Sequence, residues 1–245
     1  MKKETVMEKG TYTYRVEPRD VDFSRRATFA ALGDYLLHTA GEDADRNGFG
    51  TRELSDRNWS WVLSRMAVET ERMPSEYETL RITTWVSDYG RLVTTRNFVI
   101  CDGSGRRIGG AVTCWAMIDL GTRTAVDLLG ALGDTARVVE EQPPIERPRK
   151  IGSVAPVETV ARRVAYSDID FNRHVNTMRY LEWMFDMFPI EQLAARQLRR
   201  VDINFLHECR FGQQVTVGYQ PGDRSLFEVR DEQLRPACRA SVEWL

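Results

Sequence analysis

Twelve consecutive residues, Arg15-Val16-Glu17-Pro18-Arg19-Asp20-Val21-Asp22-Phe23-Ser24-Arg25-Arg26, lie without a gap on Arg163-Val164-Ala165-Tyr166-Ser167-Asp168-Ile169-Asp170-Phe171-Asn172-Arg173-His174. The shift is 148 positions. Carried on to Tyr35 over Trp183, the match keeps six identities in 21 positions, where ordinary residue usage gives roughly one or two. Duplication is the economical explanation. It constrains the chain strongly, because whatever the first copy folds into, the second must fold into again.

The order of predicted elements repeats as well. The stretch Ser24–Arg46, with Phe29, Leu32, Leu36 and Ala40 at helical spacing and Asn47-Gly48 as a stop signal, predicts a long helix. Runs rich in β-branched and aromatic residues follow at Asn58–Glu71, Thr79–Ser87, Leu92–Cys101 and Arg107–Ile118, with turn signals at Asp88-Tyr89-Gly90 and Asp102-Gly103-Ser104-Gly105. After Pro143, Pro144, Pro148 and Pro156, and the basic trio Arg147, Arg149 and Lys150, the pattern restarts. A strand is predicted over Glu158–Tyr166, a helix over His174–Phe188 stopped by Pro189, then strands over Arg200–Glu208, Gln214–Tyr219, Leu226–Arg230 and Ala237–Trp244. The expectation is an α+β protein of two units, residues 1–122 and 157–245, joined by a linker over 123–156 with one short helix near Ala125–Leu132.

Composition excludes several classes. With 42% hydrophobic and 29% charged residues over 245 positions the chain is ordinary globular material. Its 34 basic and 36 acidic residues leave a net charge of −2, without the basic footprint of a nucleic-acid binder. The longest charge-free run, Phe211–Gly222, has 12 residues, against the roughly 20 apolar residues of a membrane span. The opening Met1–Lys9 has no apolar block and reads as no signal peptide, so a cytoplasmic location is expected. Cys101, Cys114, Cys209 and Cys238 are widely spaced and read as free thiols, with no zinc site.

Chemistry concentrates in Asp168-Ile169-Asp170-Phe171-Asn172-Arg173-His174-Val175-Asn176. As the chain passes from strand to helix, alternation would turn Asp170, Asn172 and His174 to one side, with the free N–H groups of the helix's first turn aimed at the same place. A carboxylate, an amide, an imidazole and an oxyanion-binding set of amides suffice for acyl-transfer hydrolysis. Simple helix capping by Asp and Asn competes with that reading. A calcium loop is excluded by Arg173 and Arg179 at the positions that need glycine and glutamate. Only the second copy carries the imidazole, since Ser24 and Arg26 stand where Asn172 and His174 do.

A second candidate is His207-Glu208-Cys209, where strand alternation lets either Glu208 or its two neighbours face a site, unless the strand ends or bulges there. Cys209 reads either as a thiol nucleophile paired with His174 or as a buried core cysteine. The aromatic strand Trp59-Ser60-Trp61-Val62-Leu63-Ser64-Arg65-Met66, with Met178, Trp183 and Met184, supplies core and, in part, a wall for a flexible aliphatic guest. Trp59, Trp61 and Met66 are the candidate substrate contacts.

At these residues the chain resembles the plant and bacterial acyl-acyl carrier protein thioesterases. The resemblance rests on Gly48-Phe49-Gly50, Trp59 to Met66, the run Asp168 to Asn176, Tyr180-Leu181-Glu182-Trp183, and Glu208-Cys209. It implies two hotdog folds in tandem, each a long helix wrapped by an antiparallel sheet, the first binding the acyl chain and the second carrying the site. It places the catalytic positions at Asp170, Asn172, His174 and Glu208, with Cys209 as a further candidate, and implies hydrolysis by activated water without cofactor or metal. The implied partner is an acidic acyl carrier protein, for which Arg147, Arg149 and Lys150, or Arg196, Arg199 and Arg200, are candidate docking clusters; the second is favoured because it precedes the Glu208 strand. An acyl-CoA thioesterase or dehydratase on the same fold and a non-catalytic acyl sensor are the alternatives, and a homodimer stays open as the assembly.

Overall fold

The computed structural model describes residues 8–245, so most of the Met1–Lys9 segment lies outside the described residues. Ten strands form one antiparallel sheet in the order β1-β3-β4-β5-β2-β7-β10-β9-β8-β6. The first half supplies β1 (Gly10–Arg15), β2 (Trp59–Thr70), β3 (Thr79–Tyr89), β4 (Thr94–Asp102) and β5 (Arg107–Asp119). The second supplies β6 (Glu158–Arg163), β7 (Leu198–Phe205), β8 (Gln214–Gln220), β9 (Arg224–Asp231) and β10 (Pro236–Trp244). β2 pairs with β7 from Arg65↔Asn204 to Glu69↔Arg200, so the two halves share a continuous sheet. β1, a short strand at the sheet edge, has no counterpart among the sequence expectations.

Helix α1 (Phe29–Arg46) begins five residues later than its periodicity suggests. The Thr28 hydroxyl accepts from Ala31 N, and the residues before it form a turn with Arg25 in the left-handed region (φ 58°). Phe29, Leu32, Leu36 and Ala40 are buried, as their spacing requires. A short α2 (Thr51–Ser55) follows, and α3 (Leu128–Leu132) stands in the segment after β5.

The helix expected over His174–Phe188 is the larger correction. Only Arg179–Phe185 is helical (α4), and Pro189 opens a separate short helix, α5 (Ile190–Ala195), instead of simply stopping the first. The chain up to Met178 is committed to turns: Arg173 is left-handed (φ 64°), and the Asn176 carboxamide accepts from Met178 N. α1 and α4 meet at Gly33, where an added Cβ would lie 2.1 Å from Met178 Sδ, and at Phe29–Phe185, whose rings stack at 5.9 Å. A methyl group at position 33 would displace the Met178 thioether from this contact.

Both helices cover one face of the sheet, and one buried cluster runs through both halves. A bulge between Leu63 and Arg65 shifts the parity of β2. Strict alternation would send Met66 to the face opposite Leu63, yet both belong to the helix-side core. The other face is crossed by the proline-rich segment, which is strapped down rather than loose. Arg149 N and Ile151 N donate to the carboxylate of Asp202 and the carboxamide of Asn204, and Arg200 donates to the carbonyls of Glu146 and Arg147. Ile145 packs there on Ala67 and Val112. No helix among the described residues is long and apolar enough to cross a membrane.

Candidate active site

The register of β2 against β5 and β7 brings three loops of distant sequence to one end of the sheet. Trp59 at the start of β2 pairs with Asp119 at the end of β5, and β7 runs antiparallel to β2, so its last residues reach the same end. The three loops are the turn Asp119–Thr124, the loop between β6 and α4, and the loop between β7 and β8.

The β6–α4 loop is not the expected strand-to-helix passage. Tyr166–Asp168 is a single 3-10 turn closed by the Asp168 carboxylate, which accepts from Ala165 N at 2.7 Å. Asp170 then builds a tight reversal: its Oδ1 accepts from Asn172 N (2.8 Å) and His174 N (3.4 Å), its N donates to His174 O, and Ile169 bridges Val175. The helix starts at Arg179, five residues past His174, and Asn176 rather than a substrate oxyanion occupies Met178 N. The expected oxyanion amides at the helix's first turn are therefore not set beside His174.

The first copy reproduces this architecture. Asp20 accepts from Glu17 N, Asp22 accepts from Ser24 N, Asp22 N donates to Arg26 O, and Val21 bridges Ala27. The identities between the copies are thus the residues that shape the loop, and the chemistry lies in the differences. The backbone contacts extend the comparison: Ala27 N donates to Pro74 O where Val175 N donates to Cys209 O, and Arg26 bridges Ser75 where His174 bridges Arg210. Met73 consequently stands where Glu208 does. Asn172, His174 and Glu208 have Ser24, Arg26 and Met73 as counterparts.

β7 ends at Phe205, so the alternation that set Glu208 against its neighbours does not apply beyond it. His207 turns inward, its Nδ1 2.8 Å from Pro236 O and its Nε2 3.1 Å from the buried Asp231 carboxylate. Cys209 is fully buried under the Tyr180 hydroxyl, and burial pushes its thiol pKa up, opposed in part by hydrogen bonding to Tyr180. Glu208 points outward instead. Its Oε2 lies 3.1 Å from His174 Nε2 and accepts from Arg123 at 2.7 Å. Asn172, two residues before His174 in the same loop, is exposed, with no side-chain partner among the described residues.

Arg123 is the residue that sequence reasoning missed. It sits at the end of the first half, left-handed (φ 59°) in a turn held by Asp119, whose carboxylate accepts from Gly121 N and Thr122 N. Only the turn-forming Asp119-Leu120-Gly121-Thr122 hints at a fixed position; nothing in the sequence brings it to Glu208, 85 positions further on.

Other expectations separate. Trp59 and Trp61 are half-buried at the site end of β2, and Trp61 Nε1 donates to Phe49 O. Met66 is fully buried in the core. Arg200 is a correction: only 2% exposed, it is bonded to Asp202, Glu69 and two strap carbonyls, and so offers no surface to a partner. Arg199 is exposed but sits at the opposite end of β7 from Glu208, about 20 Å along the strand. In the linker cluster, Arg149 is tied to Asp202 and Glu243, and Arg147 lies 3.7 Å from Asp88.

Two experiments follow from this geometry. Cys209→Ser is expected to change kcat modestly, less than about fivefold, because a buried thiol with a raised pKa is a poor nucleophile; single-turnover kinetics with a search for an acyl-enzyme by mass spectrometry checks this. Asp22→Ala should leave turnover nearly unchanged, whereas Asp170→Ala should lower it about 10²-fold by releasing the loop that holds His174. Equal losses from the two folded variants would contradict a site confined to the second half.

Two helices, each wrapped by five strands of a shared antiparallel sheet, with a paired His174 and Glu208 in the second unit only, define a tandem hotdog protein of the thioesterase type. The acyl-ACP thioesterase N-terminal domain model matches residues 8–132 and the C-terminal domain model residues 155–244. The chain belongs to the acyl-ACP thioesterase family. It is similar to a chloroplast acyl-[acyl-carrier-protein] hydrolase of Cuphea viscosissima, at 31% identity over 217 residues, 81% of this chain and 52% of that protein. The chain spans little more than half the length of the curated relatives it matches. Among solved structures, an acyl-ACP thioesterase from Bacteroides thetaiotaomicron superposes with a TM-score of 0.89 at 38% identity, over 97% of this chain and 98% of that one. A putative oleoyl thioesterase from Lactobacillus plantarum superposes with a TM-score of 0.84 at 26% identity, over 97% and 96%.

Proposed function

We propose that the protein hydrolyses the thioester of an acyl chain carried on acyl carrier protein, releasing a free fatty acid, with water as the nucleophile. The carrying observation is the Glu208 carboxylate held between His174 Nε2 and Arg123 on one oxygen. With Oε2 so engaged, Oε1 is the oxygen available to a water molecule.

In this reading Glu208 takes a proton from water as the water oxygen attacks the thioester carbonyl carbon. His174, whose Nε2 faces the same carboxylate, takes that proton from Glu208 and delivers it to the departing thiolate as the C–S bond breaks. Asn172, exposed and unpartnered, donates to the carbonyl oxygen or orients the water. Asp170 spends Oδ1 on the turn that sets His174 and serves as a positioning residue, and Glu208, the carboxylate paired with His174, is the base. Trp59 and Trp61, half-buried at the same end of the sheet, form a wall for the acyl chain next to the thioester. The reaction belongs in the cytoplasm, where a soluble carrier protein delivers the chain.

The test is release of free thiol and fatty acid from acyl-carrier protein and acyl-CoA of several chain lengths. The expected result is hydrolysis with the higher kcat/KM on the carrier-bound substrate. Acyl binding without release would make the protein a sensor, and preference for CoA an acyl-CoA thioesterase.

A further inference from the structure

Because the two copies share one loop architecture, each surface position around the site has an internal control. In the first copy two of the surface arginines carry acidic partners, Arg25 bonded to Glu76 (2.5 Å) and Arg15 3.5 Å from Glu17, while Arg26 is exposed without one among the described residues. In the second copy these acidic partners are gone. The bridge Arg26↔Ser75 corresponds to His174↔Arg210, so Phe211 occupies the place of Glu76, and Ala165 that of Glu17. Arg173, the counterpart of Arg25, is exposed with no carboxylate partner among the described residues, and Arg210, in the place of Ser75, is likewise exposed and unpaired.

Two replacements add aromatics to the second surface, Tyr166 for Pro18 and Phe211 for Glu76, beside Phe171, which matches the exposed Phe23 of the first copy. Tyr166, Phe171 and Phe211 are 88%, 87% and 64% exposed around one shallow depression. Isolated exposed aromatics need no explanation, but three around one depression, beside unpaired arginines, mark an interaction surface. The one carboxylate lining the depression, Asp170, is engaged with its own backbone. Phe171 lies three residues before His174 and Phe211 three after Glu208, so the patch forms the rim of the site.

We infer that this rim, Tyr166, Phe171 and Phe211 flanked by Arg173 and Arg210, is the docking surface for the acidic carrier protein that delivers the acyl thioester. The inference rests on the hydrolase reading for its partner. An acidic helical face pairs with arginines that lack internal carboxylates, its apolar residues cover the aromatics, and the thioester arm enters at the rim of the Asn172-His174-Glu208 set. The position replaces the Arg196, Arg199 and Arg200 cluster, whose third member is buried and whose strand end lies away from the site.

The experiment uses Phe211→Glu, which restores the first copy's residue and gives Arg173 a carboxylate, and Arg210→Glu. Affinity for holo-carrier protein is measured directly by titration, without turnover, and kcat/KM is measured on acyl-carrier protein and on an acyl-pantetheine thioester. The expected result is weaker carrier binding and about a tenfold fall in kcat/KM for the carrier-bound substrate, with the pantetheine thioester changed less than about twofold. The wild-type advantage on carrier-bound substrate should shrink toward 0.5 M salt, at which screening reaches only about 4 Å. Equal losses on both substrates, or unchanged carrier affinity in both variants, would overturn the docking assignment. A wild type that binds carrier protein with this charge dependence but cleaves neither substrate would leave the docking surface standing and defeat the hydrolase reading.

Discussion

Glu208→Gln is expected to lower kcat by about 10²- to 10³-fold without unfolding the protein. Glutamine keeps the size of the side chain and can still meet His174, but it cannot take a proton from water. His174→Ala should cost a similar factor. Because the two groups act as a unit, the double variant should lose little more than the worse single one. Arg123 bears on the same chemistry from the other half of the chain: Arg123→Ala should lower kcat about tenfold with KM little changed, by freeing the carboxylate to leave its position. Arg123→Lys should recover part of that loss. Steady-state kinetics on a folded panel checks all five, and a Glu208→Gln enzyme with near wild-type kcat would remove Glu208 from the mechanism.

The second large effect concerns stability. Arg200→Ala is expected to destabilise the protein by about 3 kcal/mol, because it strips the buried Asp202 of its bidentate partner and leaves it only Arg149, whose N donates at 2.9 Å and whose guanidinium lies at 3.5 Å. Asp202 is fully buried, its carboxylate accepts from Arg200 Nε at 2.8 Å, and Arg200 reaches Glu69 on β2 at 2.5 Å. Burial works against the guanidinium charge, and the two carboxylates outweigh it, so its pKa moves up. This cluster stitches β7 to β2 and to the strap over Glu146 and Arg147, at the seam between the halves. Loss of the seam should appear in urea unfolding as a lower midpoint, and as a broadened or divided transition where the two halves come apart. Arg199→Ala, one position away and exposed, is the control and should change stability by less than about 0.5 kcal/mol.

The repeat made the fold legible because local sequence writes local structure. Thr28 before Phe29 and the apolar spacing through Ala40 specify α1, and alternation with turn residues specifies β2 to β5. Where the reading erred, a single side chain overrode periodicity. Asn176 and the left-handed Arg173 held the chain in turns as far as Met178, and Pro189 started a helix where it was expected only to end one. The strand parity applied to His207, Glu208 and Cys209 failed for a related reason, since β7 stops at Phe205 and the loop turns each side chain separately.

The sequence by itself determined the duplicated α+β plan, the segment where chemistry concentrates, and the asymmetry that leaves an imidazole in one copy only. These are properties of near neighbours along the chain. The tertiary structure alone decided that Glu208, and neither His207 nor Cys209, faces His174, that Arg123 closes the site from the first half, that Met73 is the counterpart of Glu208, and that Arg200 is a buried seam rather than a docking residue. Each of these depends on which strands pair and in what register. A one-residue change of register sends every side chain to the other face, and the choice is settled by burial summed over the whole sheet, which no local stretch of sequence records.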